Sequence, residues 1–216
     1  MKKAFYGKRF LITAGPVWVP IDSVRVLTNI FGGKLGYVIA QEAVKLGAEV
    51  TLLMGPGRVQ FVGNEKFKVI KYRTFSDIYK LMKNEISTKK YDVIIHSAAI
   101  PDYVPVKVFK GKIKSGKKDL TIRFKKTFKI VDRIKKWDKD VLLVKFKLEV
   151  GKSKKQLLSI AHESMLKSHA DIIVANEFGD VIDGHLAYIC GSGEPIKCYG
   201  KDGVAKNLLS MIRLKI

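Results

Sequence analysis

Apolar positions along this chain fall into two patterns. Short and nearly unbroken runs occur at Arg9–Ala14, Glu49–Met54, Asp92–Ser97, Val141–Phe146 and Asp171–Ala175. Such runs fit strands covered on both faces, as in a parallel sheet. Between them, apolar residues recur at spacings of three and four. Leu35, Val38, Ile39, Ala43 and Leu46 share one face of a helix over Lys34–Leu46, which Gly47 stops. The same spacing predicts helices over Phe75–Ile86, Ile130–Trp137, Lys154–Lys167 and Val204–Leu214. Phe67–Tyr72 reads as a weaker strand, because Lys68 and Lys71 interrupt it. A Lys-rich excursion over Pro101–Lys118 precedes a predicted strand at Leu120–Phe124, and His185–Cys190 is expected to pair with a short strand near Ile196. Strands alternating with helices imply an α/β fold. The expected architecture is one doubly wound Rossmann-like domain over residues 1–216, a mostly parallel central sheet with helices on both faces.

Composition narrows the class without changing that picture. The 216 residues are 47% apolar and 28% charged, ordinary for a globular chain, and no apolar run nears the roughly 20 residues of a membrane span. Lys8 and Arg9 interrupt what would be the apolar core of a signal peptide, so a cytoplasmic location and no membrane partner are expected. Cys190 and Cys198 do not suggest a disulfide framework. His96, His162, His169 and His185 lack metal-ligand spacing, so no structural metal is expected, and His96 reads as a hydrogen-bonded core residue. Charge is the strongest departure from the ordinary. Lys+Arg number 41 against 20 Asp+Glu, a net +21. That balance favours polyanionic partners. However, Arg, the better reader of base edges, is scarce, the lysines are spread from end to end, and no nucleic-acid-binding signature occurs, so no specific nucleic-acid partner is expected.

In doubly wound sheets ligands bind beyond the carboxyl ends of the strands, which here means Gly15–Gly36, Ala98–Lys114 and Asn176–Asp180. Gly32, Gly33 and Lys34 immediately precede a predicted helix, where backbone N–H groups are free for an anion. The loop after the first strand is too long for G-x-G-x-x-G, the second strand ends in Leu52-Leu53-Met54 without a ribose-binding acid, and no G-x-x-x-x-G-K-[ST] occurs. An ordinary NAD enzyme or P-loop NTPase is therefore disfavoured.

Several short motifs in order carry a resemblance. Ile12-Thr13-Ala14-Gly15-Pro16, Pro20-Ile21-Asp22, Val24-Arg25, Thr28-Asn29 and Gly33-Lys34-Leu35-Gly36 are followed by Ser97-Ala98-Ala99-Ile100-Pro101-Asp102-Tyr103 and Lys112-Ile113-Lys114. Lys145-Phe146-Lys147-Leu148, Leu166-Lys167 and Ala170–Asn176 come later. Together, over roughly residues 9–177, they resemble phosphopantothenate–cysteine ligase of the stand-alone bacterial type. Departures from its pattern are Val17-Trp18 for Thr-Arg, Phe31-Gly32 for Ser-Ser, Phe128 for Pro and Lys145 for Gly.

The resemblance implies a ligase of coenzyme A biosynthesis, with 4′-phosphopantothenate, L-cysteine and CTP as substrates and Mg²⁺ carried by the nucleotide; ATP is the eukaryotic type's nucleotide. It implies an acyl-cytidylate intermediate, release of pyrophosphate and CMP, and a homodimer. It assigns catalysis to Asn29 and Lys112. It assigns the nucleotide to Gly15, Ala98, Ala99, Asp102, Lys112, Phe146 and Lys167, and the phosphate or substrate loop to Gly32, Gly33 and Lys34. Taken as residue types alone, each has an ordinary alternative: Lys112 a solvated loop lysine, Asn29 and Asp102 turn residues, Phe146 a core aromatic, Lys167 a cation at a helix C-terminus. The apolar residues Ile113, Leu120 and Ile122 within the Lys-rich stretch Phe109–Phe124 suggest a dimerising ribbon inside the 101–124 excursion. Two other readings stay open: a catalytically altered or silent relative, given the departures, and a basic nucleic-acid-binding module, given the charge.

Overall fold

The structure, a computed structural model, describes residues 3–61, 63, 65–116 and 118–216. Lys117 of the Lys-rich excursion lies outside the described residues. Eight strands form the main sheet: β1 (Arg9–Ala14), β4 (Glu49–Met54), β5 (Lys68–Lys71), β6 (Val93–His96), β9 (Leu142–Glu149), β10 (Ile172–Glu177), β11 (Ala187–Cys190) and β12 (Ile196–Cys198). Their order is β12-β11-β10-β9-β6-β1-β4-β5. All pairs from β10 to β5 are parallel, and β11 and β12 are antiparallel additions at the far edge. The uninterrupted apolar runs become the central strands because both of their faces are covered. Phe10, Ile12, Val93 and Ile95 pack under α1 (Lys34–Lys45) and α6 (Gly200–Arg213). Leu11, Leu53, Ile94 and Leu143 pack under α2 (Phe75–Ser87) and α3 (Val131–Trp137), and α4 (Lys154–Ser168) covers β10 on that same side. The expected α/β fold with a mostly parallel sheet and helices on both faces is the observed one.

Helix boundaries follow local chemistry. Thr74 and Asp77 form a reciprocal capping box at the start of α2, and Ser153 with Gln156 does the same for α4. α6 starts at Gly200, four residues before the predicted Val204. An unpredicted helix, α5 (Phe178–Asp183), begins where the Glu177 carboxylate accepts the N–H groups of Gly179 at 2.6 Å and Asp180 at 3.3 Å.

Two small ribbons lie outside the main sheet. β2 (Val19–Pro20) pairs with β3 (Val26–Leu27) inside what the sequence presents as a plain loop. β7 (Tyr103–Pro105) pairs with β8 (Phe124–Lys126), which corrects the predicted strand at Leu120–Phe124. Register explains the shift. The Thr127 N–H donates to Asp102 O at 2.8 Å and the Val106 N–H to Arg123 O at 2.9 Å, setting Pro105 opposite Phe124. Past the Val106–Arg123 hydrogen bond the pairing ends. Among the described residues, 106–123 therefore hold no strand, and the ribbon expected within Phe109–Phe124 is instead an irregular strap.

Candidate functional site

β1 and β6 lie side by side, and from them the chain winds outward in opposite directions, β1 through α1 to β4 and β6 toward β9. A crevice opens at such a switch point, past the carboxyl ends of the strands. Gly15 leaves β1 there and Ala98-Ala99 leave β6. They are tied directly: the Ala99 N–H donates to Gly15 O at 3.0 Å, and the Val17 N–H to Ala99 O at 3.3 Å. Thr13 Oγ1 accepts the Ala98 N–H at 3.2 Å. Tyr72, from the far side of β4, donates its hydroxyl to Ala14 O at 2.9 Å or Gly15 O at 3.0 Å, and burial pushes its pKa up, so it stays a donor. No sequence signal near Tyr72 announces this role, because its partners are 57 and 58 residues away.

The glycine segment closes against this exit. Gly33 has φ +85°, and a Cβ there would sit 2.7 Å from Gly15 N. One turn on, a Cβ at Gly36 would sit 2.5 Å from that of Ala14 and 2.7 Å from Ser97 Oγ. Only bare backbone lets α1 start this close to β1 and β6. Gly33 is the N-cap of α1 and supplies no side-chain cap, and the first turn carries no acid, so the helix itself brings no side-chain anion to this end. Lys34 is exposed beside this end, with Nζ 5.1 Å from the Tyr37 ring centre.

Asn29 comes back over the same crevice. Its Nδ2 donates to Ala99 O at 3.3 Å, and the Thr28 hydroxyl donates to Val17 O at 3.0 Å. Asn29 is exposed, so its amide remains accessible to a ligand. Asp102 follows one turn after Ala99, exposed, with Lys129 Nζ 3.9 Å from its carboxylate. Phe146 enters from β9, half-buried on the α1–α6 side of the sheet. The Lys112 segment is drawn in by Asp22. That carboxylate accepts the N–H groups of Ile113 at 3.0 Å, Val24 at 2.9 Å and Arg25 at 2.7 Å, and the Arg25 guanidinium at 2.7 Å. These donors, Ile113 first, hold its pKa at about 2 against the opposing effect of burial. Asp22 thus forms an ion pair with Arg25, and its contact with the strap, 91 residues away, is the part that local reading misses.

Lys167 is exposed in the last turn of α4. Its charge acts on the buried Lys145 ammonium of β9, the register partner of His96 at the end of β6. The departures from the family pattern also find places. Val17 is buried, and Phe31 meets Phe178 of α5 edge-on with ring centres 6.2 Å apart. Trp18 borders a cleft of about 500 Å³ beyond β4 and β5, with Pro56, Phe61, Tyr72 and Arg73. Phe128 packs on Phe75 and Tyr79 under the Arg133 guanidinium, and Lys145 is buried in the sheet.

The family described as DNA/pantothenate metabolism flavoprotein C-terminal domain matches residues 5–214. The Coenzyme A biosynthesis bifunctional protein CoaBC of Thermococcus kodakarensis is 39% identical over 175 residues, 81% of this chain and 42% of that protein. The DNA/pantothenate metabolism flavoprotein of Streptococcus pneumoniae superposes with a TM-score of 0.88 at 27% identity, covering 97% of this chain and all of that one. The C-terminal domain of a CoaBC protein gives 0.81 at 28% identity, covering 99% and 97%. The chain spans about half the length of the curated relatives it matches. With its fold and nearly its whole length in agreement, this chain belongs to the DNA/pantothenate metabolism flavoprotein C-terminal domain family.

Proposed function

We propose that the chain is a phosphopantothenate–cysteine ligase domain of coenzyme A biosynthesis. One observation carries this reading: Asn29 and Ala99, from two separate motifs, are hydrogen-bonded to each other across the β1–β6 crevice. The relatives named for coenzyme A biosynthesis point the same way.

In this reading CTP lies in the crevice. Gly15, Ala98, Ala99 and Asp102 contact it, Phe146 borders the base, and Lys112 faces the triphosphate. The substrate carboxylate attacks the α-phosphorus, a phosphorus–oxygen bond breaks, and pyrophosphate leaves. The cysteine amine then attacks the acyl carbon of the cytidylate, loses a proton, and expels CMP as the amide forms. Both nucleophiles belong to substrates, so the protein supplies placement and charge. Asn29 donates its amide hydrogens to the carboxylate and then to the acyl carbonyl. Gly32, Gly33 and Lys34, at the start of α1, hold a phosphate group of the substrate with backbone N–H groups. Lys167 reaches the nucleotide from the end of α4. Mg²⁺ supplies charge neutralisation on the phosphates when bound. Among the described residues no group of three or more His, Cys, Asp or Glu side chains is placed to hold a metal ion.

The working unit in this reading is a homodimer. β2–β3 and β7–β8 expose Val26, Leu27, Tyr103 and Phe124, with Ile30 and Val106 beside them. A second copy covers this apolar surface. Among the described residues no helix is long and apolar enough to cross a membrane, and a cytoplasmic site of action suits the substrates.

Asn29→Ala is expected to lower turnover by about 10²–10³, the scale of losing one transition-state donor. Lys112→Gln is expected to cut pyrophosphate release to a small residual rate, blocking formation of the intermediate and not merely its capture by cysteine. Single-turnover pyrophosphate measurements check both, and wild-type rates in the folded variants contradict the assignment.

A further inference from the structure

The segment that carries Lys112 has no secondary structure of its own among the described residues of 106–123, yet around Lys112 its backbone is hydrogen-bonded to the first loop. The Phe109 N–H donates to Ile21 O at 3.0 Å and the Ser23 N–H to Gly111 O at 3.1 Å. The Ile113 N–H donates to Asp22 Oδ2 at 3.0 Å, and the Arg25 guanidinium reaches Ile113 O at 3.4 Å. Lys112 thus sits between two anchored neighbours. At the centre of the anchors is a side chain with no solvent exposure, the Asp22 carboxylate, all of whose recorded partners belong to the first loop or the strap.

The division of labour between its oxygens is informative. Oδ1 accepts Val24 and Arg25 N–H groups within its own turn, while Oδ2 takes the Arg25 guanidinium and the strap's Ile113. The first pair is an ordinary Asx-turn, present in many loops. The second pair joins two segments 91 residues apart, and burying a carboxylate there is tolerated only because its lone pairs are filled. A local turn needs Oδ1 alone, so the second pair calls for a purpose in the strap.

We propose that Asp22 is a positioning residue for the ligase reaction, its carboxylate locking the strap to the first loop so that Lys112 is held at the nucleotide. The inference rests on the reading of Lys112 given above. It makes Asp22 matter for pyrophosphate release and leave the later attack by cysteine untouched.

Asp22→Asn severs the one link and spares the other. With its oxygen in the Asx-turn, the new amide NH₂ faces the Ile113 N–H and the Arg25 guanidinium, so donor meets donor. In the purified variant, amide hydrogen exchange at Ile113 and Phe109 is expected to accelerate while that of the β1 and β6 core stays slow. Single-turnover pyrophosphate release with CTP and 4′-phosphopantothenate is expected to fall on the order of 10²-fold, the cost of a misplaced charge. Capture of preformed intermediate by cysteine is expected to be unchanged. Ile113→Pro removes the same hydrogen bond from the strap side, away from the core, and is expected to reproduce the defect. The double variant Asp22→Asn/Lys112→Gln is expected to be no slower than Lys112→Gln alone, because both changes remove one function. A double variant slower by the full factor of Asp22→Asn overturns the proposal, as does wild-type pyrophosphate release in either folded single variant of the link. Wild-type release in Lys112→Gln overturns the reading of Lys112 and this proposal with it, whereas a slow Lys112→Gln beside a fast Asp22→Asn overturns this proposal alone.

Discussion

Lys145 stands in the third layer of a polar row that crosses three central strands. Thr13, His96 and Lys145 are register partners on β1, β6 and β9, all buried on the side of α2, α3 and α4. The Lys145 ammonium donates to Ser164 O at 2.9 Å and Ser168 Oγ at 3.0 Å, and burial brings its pKa down to about 8. Burial, with the Lys145 charge second, brings His96 down to about 4, so near pH 7 its ring is neutral. Neutral His96 holds the Thr13 hydroxyl 3.0 Å from Nδ1, and Thr13 in turn receives the Ala98 N–H, so the row shapes the exit of β6. The expectation of a hydrogen-bonded core histidine is met. Because Lys145 binds its proton less tightly folded than unfolded, it destabilises the fold fully below pH 8, and this effect fades as pH rises toward 10.5. Lys145→Met is therefore expected to be more stable than wild type at pH 7, with the advantage shrinking between pH 8 and 10.5; urea titrations across that range check it. Asp22 has the opposite sign. Its carboxyl is lowered from 3.8 to about 2, so the stability it confers is complete above pH 4 and lost as pH falls toward 2, a loss that acid titration is expected to find absent in Asp22→Asn. Gly36→Ala would press a methyl group into Ala14 and Ser97, and a destabilisation of about 1–3 kcal/mol is expected from denaturant midpoints.

Elements divide sharply into those readable in the sequence and those not. β1, β4, β6 and β10 are legible as apolar runs because burial on both faces leaves no polar alternation to confuse the pattern. α1 is legible because Leu35, Val38, Ile39 and Ala43 repeat at helical spacing and Gly47 ends it. α5 is not, because six residues carry too little periodicity and its N-cap is Glu177, an unusual capping residue. β8 is misplaced in the sequence because Leu120, Ile122 and Phe124 alternate like a strand, while pairing is decided by the register with Tyr103–Pro105, a distant segment. The crevice motifs are visible as residues, but their assembly is not. The link from Asp22 to Ile113 and the clamp of Tyr72 on Gly15 are long-range hydrogen bonds that no local spacing encodes. Phe31 belongs to the same group. Its edge-on contact with Phe178 joins the loop before α1 to α5, where a serine hydroxyl would offer only a polar contact. Phe31→Ser is expected to leave the melting temperature within a few degrees while altering the KM for 4′-phosphopantothenate, as steady-state kinetics would register.

Across the whole molecule, charge is abundant and partly paired. Asp92, Asp138, Asp140 and Asp171 line a cleft of about 590 Å³ at the edge where the parallel strands begin, together with Lys8, Lys89 and Lys215. There Asp92 accepts the Arg9 N–H at 2.8 Å and pairs with Lys8, and Asp171 accepts the Leu143 N–H at 2.7 Å and pairs with Lys135. At the other edge Lys34 stands beside the start of α1 and Lys129 beside Asp102, and the net charge of +21 favours anionic ligands. The central claim, that this crevice forms an acyl-nucleotidylate, is tested most directly by pyrophosphate release from the purified protein with CTP, Mg²⁺ and 4′-phosphopantothenate, with and without L-cysteine. The account predicts a burst approaching one pyrophosphate per site without cysteine, then steady turnover with equimolar CMP once cysteine is added. Repeating the assay with ATP identifies the preferred nucleotide. A folded protein that releases no pyrophosphate with either nucleotide would contradict the account.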